Sequence, residues 1–596
     1  MHPHSSVQPN AWAALRLPSG SVKVLPITPN TTISLGKYGS FPSNLIIERP
    51  YNLTYELLDR EPGQKDSNLR IVPASELHAD TIAEENAASK AKDADDTVII
   101  GGDGVEYELV GEDGEVIMRS NRETIDDSAR QTLTMDEIET LKREGTGAGK
   151  DLIAKLMLSH TAIDQKTAFS LAKYKLSKTK KYLKRFTILP LDIPMLTHWV
   201  MTEKDAGKVL EMRSEMLSLV GSWANVHFVE ELPEMESGRW LVIDETCGLL
   251  VAAVAERMGL LYPPSKDPED DGQTTRHKED PPAATSNTIT LIHNNAQPNL
   301  SLLKSFLYDP TTATPPCPSH PLHTHLNSLS WLQLLEPSKD VTYSTAIPPL
   351  SPTSLNDLKP AKRGTYYRKL RRWTRTTQTI DTARQGNFDG LVIASAMDPS
   401  SILRHTIPLL RGGANIAIYS PYIEPLVTLS DYYSTSRRTA FLQAPPPDFE
   451  ALATSEERDR WQGNEDFPLN PLLVLNATVQ SAKVREWQVL PGRTHPVMTG
   501  RGGAQGYLWT GVRVVPAVGR VEARGKFSRK RKVPNESNDK DKGSASKDVE
   551  EGVEPSVKRE RVDEEKRVEE GENQGSILLK EDTVETLDSD VQMLES

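Results

Sequence analysis

The chain has 596 residues, of which 26% are charged and 6% aromatic, and it carries a formal charge of -13. Its two cysteines, Cys247 and Cys317, exclude a disulfide framework and point to a reducing compartment. No apolar run reaches the roughly 18 residues that cross a bilayer, and Met1 to Ser6 lacks the basic-then-apolar order of a secretory signal, so no membrane role is expected.

From Ala11 to Met118 the pattern is short and β-like. Ser21–Leu25, Thr31–Leu35, Asn44–Ile47, Thr54–Leu58, Thr97–Ile100 and Glu115–Met118 read as strands between Gly-, Pro- and Asn-rich turns. Strands at this spacing predict a small barrel or sandwich over residues 11–120, with His78–Asp96 as a loop insertion. A helical, basic linker is expected over residues 121–190. Thr134 and Glu137 have the spacing of a capping box, and Leu152, Ile153, Leu156 and Met157 share one face of a second helix. A third helix, about Asp164 to Arg185, carries Phe169, Ala172, Leu176, Thr179 and Leu183 as a docking stripe. Lysines cover much of the rest.

Residues 191–520 change to alternating strands and helices. A helix near Ala206–Val220 precedes strand Trp240–Ile243 and an apolar helix to Met258. Strand Ile289–His293, helix Asn299–Leu307, strand Leu391–Ser395, helix Pro399–Leu410 and strand Asn415–Ser420 follow. Val484–Leu490 and Tyr507–Val515 are expected to pair as a hairpin. This is the order of a class I methyltransferase sheet, a Rossmann-like fold within an α+β multidomain chain. Pro263–Ser286, Asp309–His325 and Glu336–Lys362 read as flexible insertions, and residues 521–596 as a disordered, charged tail.

The turn Glu245-Thr246-Cys247-Gly248-Leu249-Leu250 has the layout of a nucleotide-cofactor turn but keeps one glycine. Working turns are glycine-rich so that backbone approaches the cofactor closely. Thr246 and Leu250 stand where glycine is expected, and Leu250 is expected to protrude into the pocket. The strand ending in His293-Asn294-Asn295 lacks the acidic residue that would hold a ribose. The strand Phe388–Ala396 lacks a terminal carboxylate, with Asp398 slightly beyond it. No catalytic residue, bound cofactor or metal is therefore assigned. His320, His323 and His325 beside Cys317 do not have zinc spacing.

Charge is locally concentrated. Acidic residues gather at Glu84–Asp96, Asp267–Asp271 and after Asn535, and basic ones at Lys173–Arg185, Arg363–Arg375 and Gly525–Lys532. A ligand meets the field within about 10 Å at moderate salt, so local sign outweighs net sign. The lysine helix has no acid between Lys166 and Arg185, which favours phosphate binding over a merely solvated face. Arg485, Arg493, His495 and Arg501 flank Gly-rich turns that either hold phosphate or simply join hairpin strands. Arg529, Lys530, Arg531 and Lys532 read as a nuclear import signal or a nucleic-acid arm.

Ser34–Pro42, Tyr51–Glu56, the block Lys166 to Phe186, Leu241–Asp244, Phe388–Ala394 and Val489–Pro496 together resemble the non-catalytic subunit family of the eukaryotic tRNA (adenine-58, N1) methyltransferase. The resemblance implies an N-terminal β-barrel and a Rossmann-like domain that binds no methyl donor. It also implies a related catalytic partner that holds S-adenosylmethionine, a heterotetramer with two copies of each subunit, and a place in the nucleus. It assigns tRNA contacts to Lys178, Lys180, Lys181, Lys184, Arg185, Arg485, Arg493 and Arg501. A self-sufficient divergent RNA methyltransferase and a protein-only translation-initiation scaffold are the competing expectations.

Overall fold

The computed structural model describes residues 5–60, 63, 65–77, 109–110, 116–118, 132–144, 149–160, 168–230, 237–263, 283–312, 317–351, 354–355, 358–490, 493–497 and 506–517. The expected strand Thr97–Ile100, the His78–Asp96 insertion, Arg501, Arg529–Lys532 and the tail lie outside them.

The N-terminal strands are β1 (Trp12–Arg16), β2 (Val22–Pro26), β3 (Thr32–Ser34), β4 (Ser40–Pro42), β5 (Thr54–Leu57) and β6 (Leu69–Ile71), with the short pair β7 (Leu109–Val110) and β8 (Val116–Met118) beyond. Asn44–Ile47, read as a strand, instead falls on a single 3-10 turn, Ser43–Leu45, and its exit. Helices α1 (Met135–Glu144), α2 (Lys150–Leu158) and α3 (Ala168–Tyr182) then lead into β9 (Arg185–Pro190). The capping box at α1 forms as expected: the Thr134 amide donates to Glu137 at 2.8 Å, and the Glu137 amide to Thr134 Oγ1 at 3.3 Å. Leu152 and Leu156 are buried with Ile138. On α3, Leu176 of the expected docking stripe is 37% exposed.

The third helix does not run to Arg185. It ends at Tyr182, and β9 enters the N-terminal sheet as its middle strand, in the order β2-β1-β9-β5-β6. Phe186 and Ile188 explain the change, since aromatic and β-branched side chains fit a pleated, half-buried surface. Phe186 is buried and stacks on Phe41 at 4.8 Å and on Tyr55 at 5.5 Å. Among the described residues this sheet is open, with β2 and β6 at its edges, and the expected closed barrel is not found.

The second sheet has seven strands: β10 (Arg239–Asp244), β11 (Thr288–His293), β12 (Leu326–Ser330), β13 (Phe388–Ala394), β14 (Leu410–Ser420), β15 (Val474–Gln480) and, last in the chain, β18 (Tyr507–Arg513). The order is β12-β11-β10-β13-β14-β18-β15. The first five strands run parallel, and β18 pairs antiparallel with both β14 and β15. This is a Rossmann-like sheet with its switch point between β10 and β13. Helices α4 (Ile193–Glu203), α5 (Ser214–Trp223), α6 (Leu249–Arg257), α7 (Pro360–Gln385), α8 (Pro399–Thr406), α9 (Glu424–Tyr432) and α10 (Thr435–Gln443) accompany it.

Both faces are covered, so the inner strands read as continuous apolar runs. On β10, Trp240 and Val242 enter one core with α5 and α6, while Leu241 and Ile243 enter the other with Phe388, Ile402 and Trp509. The expected hairpin is corrected. Residues Trp487–Leu490 form β16 and pair with β17 (Arg493–Pro496), whereas β18 belongs to the main sheet. Two expected insertions are also partly ordered. The helix Pro360–Gln385 begins inside one, and His320, 1% exposed, sits inside another.

His320 Nδ1 accepts the Leu322 amide at 3.1 Å, which leaves Nε2 to donate to the Phe306 carbonyl at 3.1 Å. Protonating Nδ1 would set one N–H against another. Burial, aided by nearby His323, lowers the His320 pKa from 6.5 to about 4. The neutral form is favoured by folding, so this contribution is present above pH 6.5 and lost as pH falls towards 4. The thermal midpoint of the native protein should therefore fall across that window relative to His320→Gln. Parallel pH profiles for the two proteins would contradict this assignment.

Candidate functional site

The turn after β10 is closed by its own side chains. Asp244, at the carboxyl end of a buried strand, accepts the Thr246 amide and Thr246 Oγ1, each at 2.6 Å, and the Val251 amide at 3.0 Å. Its carboxylate thus caps α6 from within. Thr246 is fully buried, and its Oγ1 accepts the Leu250 amide at 3.1 Å. Leu250 does not protrude into a pocket. It is fully buried in the core shared with Trp240 and Val242, because the helix turns that position towards the sheet.

Neighbouring segments complete the closure. Gly248 has φ near 90°, and a Cβ there would lie 3.1 Å from Leu300 Cα. The close backbone approach that a glycine permits is taken by the chain itself. Cys247, also left-handed at φ 60°, has Sγ 3.5 Å from the Lys208 carbonyl and 3.3 Å from Asn299 Nδ2. Glu245 accepts from Asn294 Nδ2 at 2.6 Å and from the Ala396 amide at 2.7 Å, so it ties together the ends of β10, β11 and β13. Asp398 caps α8 by accepting the Ser401 amide at 3.1 Å. Sequence reasoning missed Asn294, Asn299 and Leu300. Asn294 stands 49 residues from Glu245 and Asn299 stands 52 from Cys247, beyond the reach of local pattern. The doubled Asn294-Asn295, in place of an acid, was the available signal.

The predicted basic residues divide into two groups. Lys180 and Lys181 are exposed on α3, and Lys178 is half-buried. Lys178 Nζ lies 4.7 Å from the Tyr174 ring centre and Lys181 Nζ 5.2 Å from that of Tyr182, so the tyrosines prop the ammonium groups on the helix surface. Lys184 and Arg185 are held by carboxylates instead. Lys184 pairs with Asp59 at 3.2 Å. Arg185 reaches Glu56 at 3.2 Å and Glu76 at 2.7 Å, and Arg70 and Lys150 join the same two acids. Hydrogen bonds from Arg70 and Lys150 pull the Glu76 carboxyl down to about 2. The cluster staples β5, β6, α2 and β9.

Arg485 is exposed just before β16, and Arg493 opens β17. The β16 strand lies against α3, so two stretches far apart in sequence form one basic region. Arg501 lies outside the described residues.

A model of the Gcd10p family matches residues 6–359. The tRNA (adenine(58)-N(1))-methyltransferase non-catalytic subunit trm6 of Aspergillus oryzae is 46% identical over 573 residues, covering 89% of this chain and 96% of that protein. The protein of the same description from Aspergillus fumigatus is 44% identical over 568 residues, with the same coverage. Among solved structures, the tRNA (m1A58) methyltransferase TrmI of Aquifex aeolicus aligns with 85% of this chain and 99% of its own, at 8% identity and a TM-score of 0.33.

The two basic groups should respond differently to truncation. Arg185→Ala leaves Glu56, 3% exposed, with fewer partners and should cost about 1–3 kcal/mol of stability. Lys180→Ala and Lys181→Ala should stay within about 0.5 kcal/mol of the native protein. Equal thermal midpoints for all three variants would show that the carboxylate cluster is not structural.

Proposed function

Because this chain belongs to the Gcd10p family, we propose that it is the non-catalytic subunit of a tRNA (adenine(58)-N(1))-methyltransferase complex, gripping tRNA while a related catalytic subunit performs the transfer. The observation that carries this reading is the self-filled turn. S-adenosylmethionine needs an open backbone approach and a carboxylate free to take ribose hydroxyls. Leu300 occupies the approach at Gly248, and the carboxylates of Asp244 and Glu245 are committed to amides of their own chain and to Asn294. These residues do not fit the donor, and no chemical step is assigned to them. The donor belongs to the partner.

The grip is assigned to Lys178, Lys180 and Lys181 on α3, to Arg485 just before β16, the strand that lies against α3, and to Arg493 and Arg501 further along the same stretch of sequence. Lys184 and Arg185, bound to carboxylates, contribute by fixing the helix to the N-terminal sheet. N1 of an adenine in folded tRNA is shielded, so the enzyme must hold a large RNA and expose the base. A subunit that has filled its own donor seat supplies area and positive charge for that task. The assembly is two copies of each subunit. The complex acts in the nucleus, with Arg529–Lys532 as the import signal.

The purified chain alone should give no calorimetric signal with S-adenosylmethionine at micromolar strength and no methyl transfer, with activity appearing once the catalytic subunit is added. Within that complex, Lys180→Ala with Lys181→Ala should weaken tRNA binding and reduce the salt slope by about one per lost phosphate contact. Donor binding or methyl transfer by the chain alone would overturn the reading.

A further inference from the structure

The helix α7 runs for 26 residues, Pro360 to Gln385, or about 39 Å, yet its buried side chains are Ile380 and Ala383 in the last two turns. The rest leans on the molecule along one stripe. The Tyr366 hydroxyl donates to the Pro348 carbonyl at 3.2 Å, and the Trp373 indole N–H donates to the Tyr343 carbonyl at 3.4 Å. Leu370 is half-buried in the same stripe. At about 100° per residue, Arg368, Arg371, Arg372 and Arg375 fall on the opposite face, at the i, i+3, i+4, i+7 spacing of a single stripe. All four are exposed, with Tyr367, 42% exposed, at the margin of the face one turn before Arg371.

This arrangement works against the helix. Arg368 stands one turn from Arg372, a spacing at which like charges repel. Lys362 and Arg363 stand in the first turn, where the helix dipole favours acids, and no acidic residue is present there. Asp381 is the helix's one carboxylate, and it takes the Tyr343 hydroxyl at 2.9 Å on the anchoring side. Arg375 shares the stripe's spacing but turns its guanidinium back to the body, donating to the His323 carbonyl at 2.6 Å, so Arg368 and Arg372 lead the outward row. A surface selected for stability alone would interleave acids. A polyanion laid along the stripe removes the repulsion.

We propose that the arginine face of α7 is a second RNA contact, separate from the lysine helix, that binds phosphates along a double-stranded arm of the tRNA. This rests on the reading that the chain grips tRNA. Guanidinium forks take phosphate oxygens in pairs, and a rigid row of them suits a duplex whose bases are hidden and whose backbone is exposed. A protein partner is disfavoured because the centre of the face is a row of like charges, with Tyr367 only at its margin, whereas the core of a stable protein interface is apolar and poor in charge.

The test uses the full chain assembled with its catalytic subunit, and compares native protein with Arg368→Gln/Arg372→Gln and Arg368→Lys/Arg372→Lys. The probes are a full tRNA transcript and an RNA hairpin matching its acceptor and T arms. The glutamine variant should bind both RNAs about tenfold more weakly at roughly 0.1 M salt, with a salt slope lower by about two. The lysine variant should keep the native slope. An unchanged thermal midpoint shows that the fold survives, as the exposure of both residues requires. Unchanged affinity and slope in the glutamine variant overturn the inference and leave the lysine-helix grip standing. Loss of the catalytic subunit from the glutamine variant, with RNA affinity intact, also overturns it by making α7 a protein interface. Failure of the native complex to bind either RNA would instead sink the tRNA-gripping function itself.

Discussion

A carboxylate at the end of a buried strand must find donors. Asp244 finds them in its own turn, in the amides of Thr246 and Val251 and the hydroxyl of Thr246. Once that satisfaction is internal, the consequences spread. The α6 helix is capped by its own chain, Thr246 can be buried, and Leu250 can pack against the sheet. Cys247 is held at positive φ, a conformation costing roughly 1–2 kcal/mol for a side-chain-bearing residue. The surrounding segments at Lys208, Asn299 and Leu300 hold the turn there by contact.

The doubly wound sheet is retained with both faces filled, because its apolar strands would otherwise be exposed. Charge is carried instead by helices on the outside. The lysine helix owes its position to β9. Only Leu183 and Lys184 separate Tyr182 from a strand set between β1 and β5, and Arg185 sits at that joint in a cluster with Arg70, Lys150, Glu56 and Glu76. Lys180 and Lys181 need not anchor the helix, because the neighbouring cations Lys184 and Arg185 do so. Two roles that sequence merges into one basic run are thereby separated within a single short stretch.

Much of this was legible beforehand. The alternation of Trp240, Leu241, Val242 and Ile243 into a two-sided core, the helix after Gly248 and the capping box at Thr134 follow from local pattern. The closed turn was legible as missing glycines. What filled it was not, because Leu300 and Asn294 reach it from the next crossover. The long helix α7 was missed for a related reason: its first turns, rich in Arg and Lys with little apolar surface, carry weak amphipathic signal, and its anchor lies at Ile380 and Ala383. Local reading also misled at the C-terminal end. Trp487–Leu490 and Tyr507–Arg513 are both β-prone, but only the second has the buried Leu508 and Trp509 that join a sheet.

Periodicity, residue type and charge are properties of neighbouring residues. Reading them in order was therefore enough to establish which segments are buried, which turn has lost its glycines and where positive charge accumulates. Folding had to settle the rest: which donors Asp244 and Glu245 receive, that residues 185–190 run through the middle of the first sheet, and which cations meet acids. Those outcomes depend on groups remote in the chain meeting within about 3 Å, and no local pattern encodes that distance.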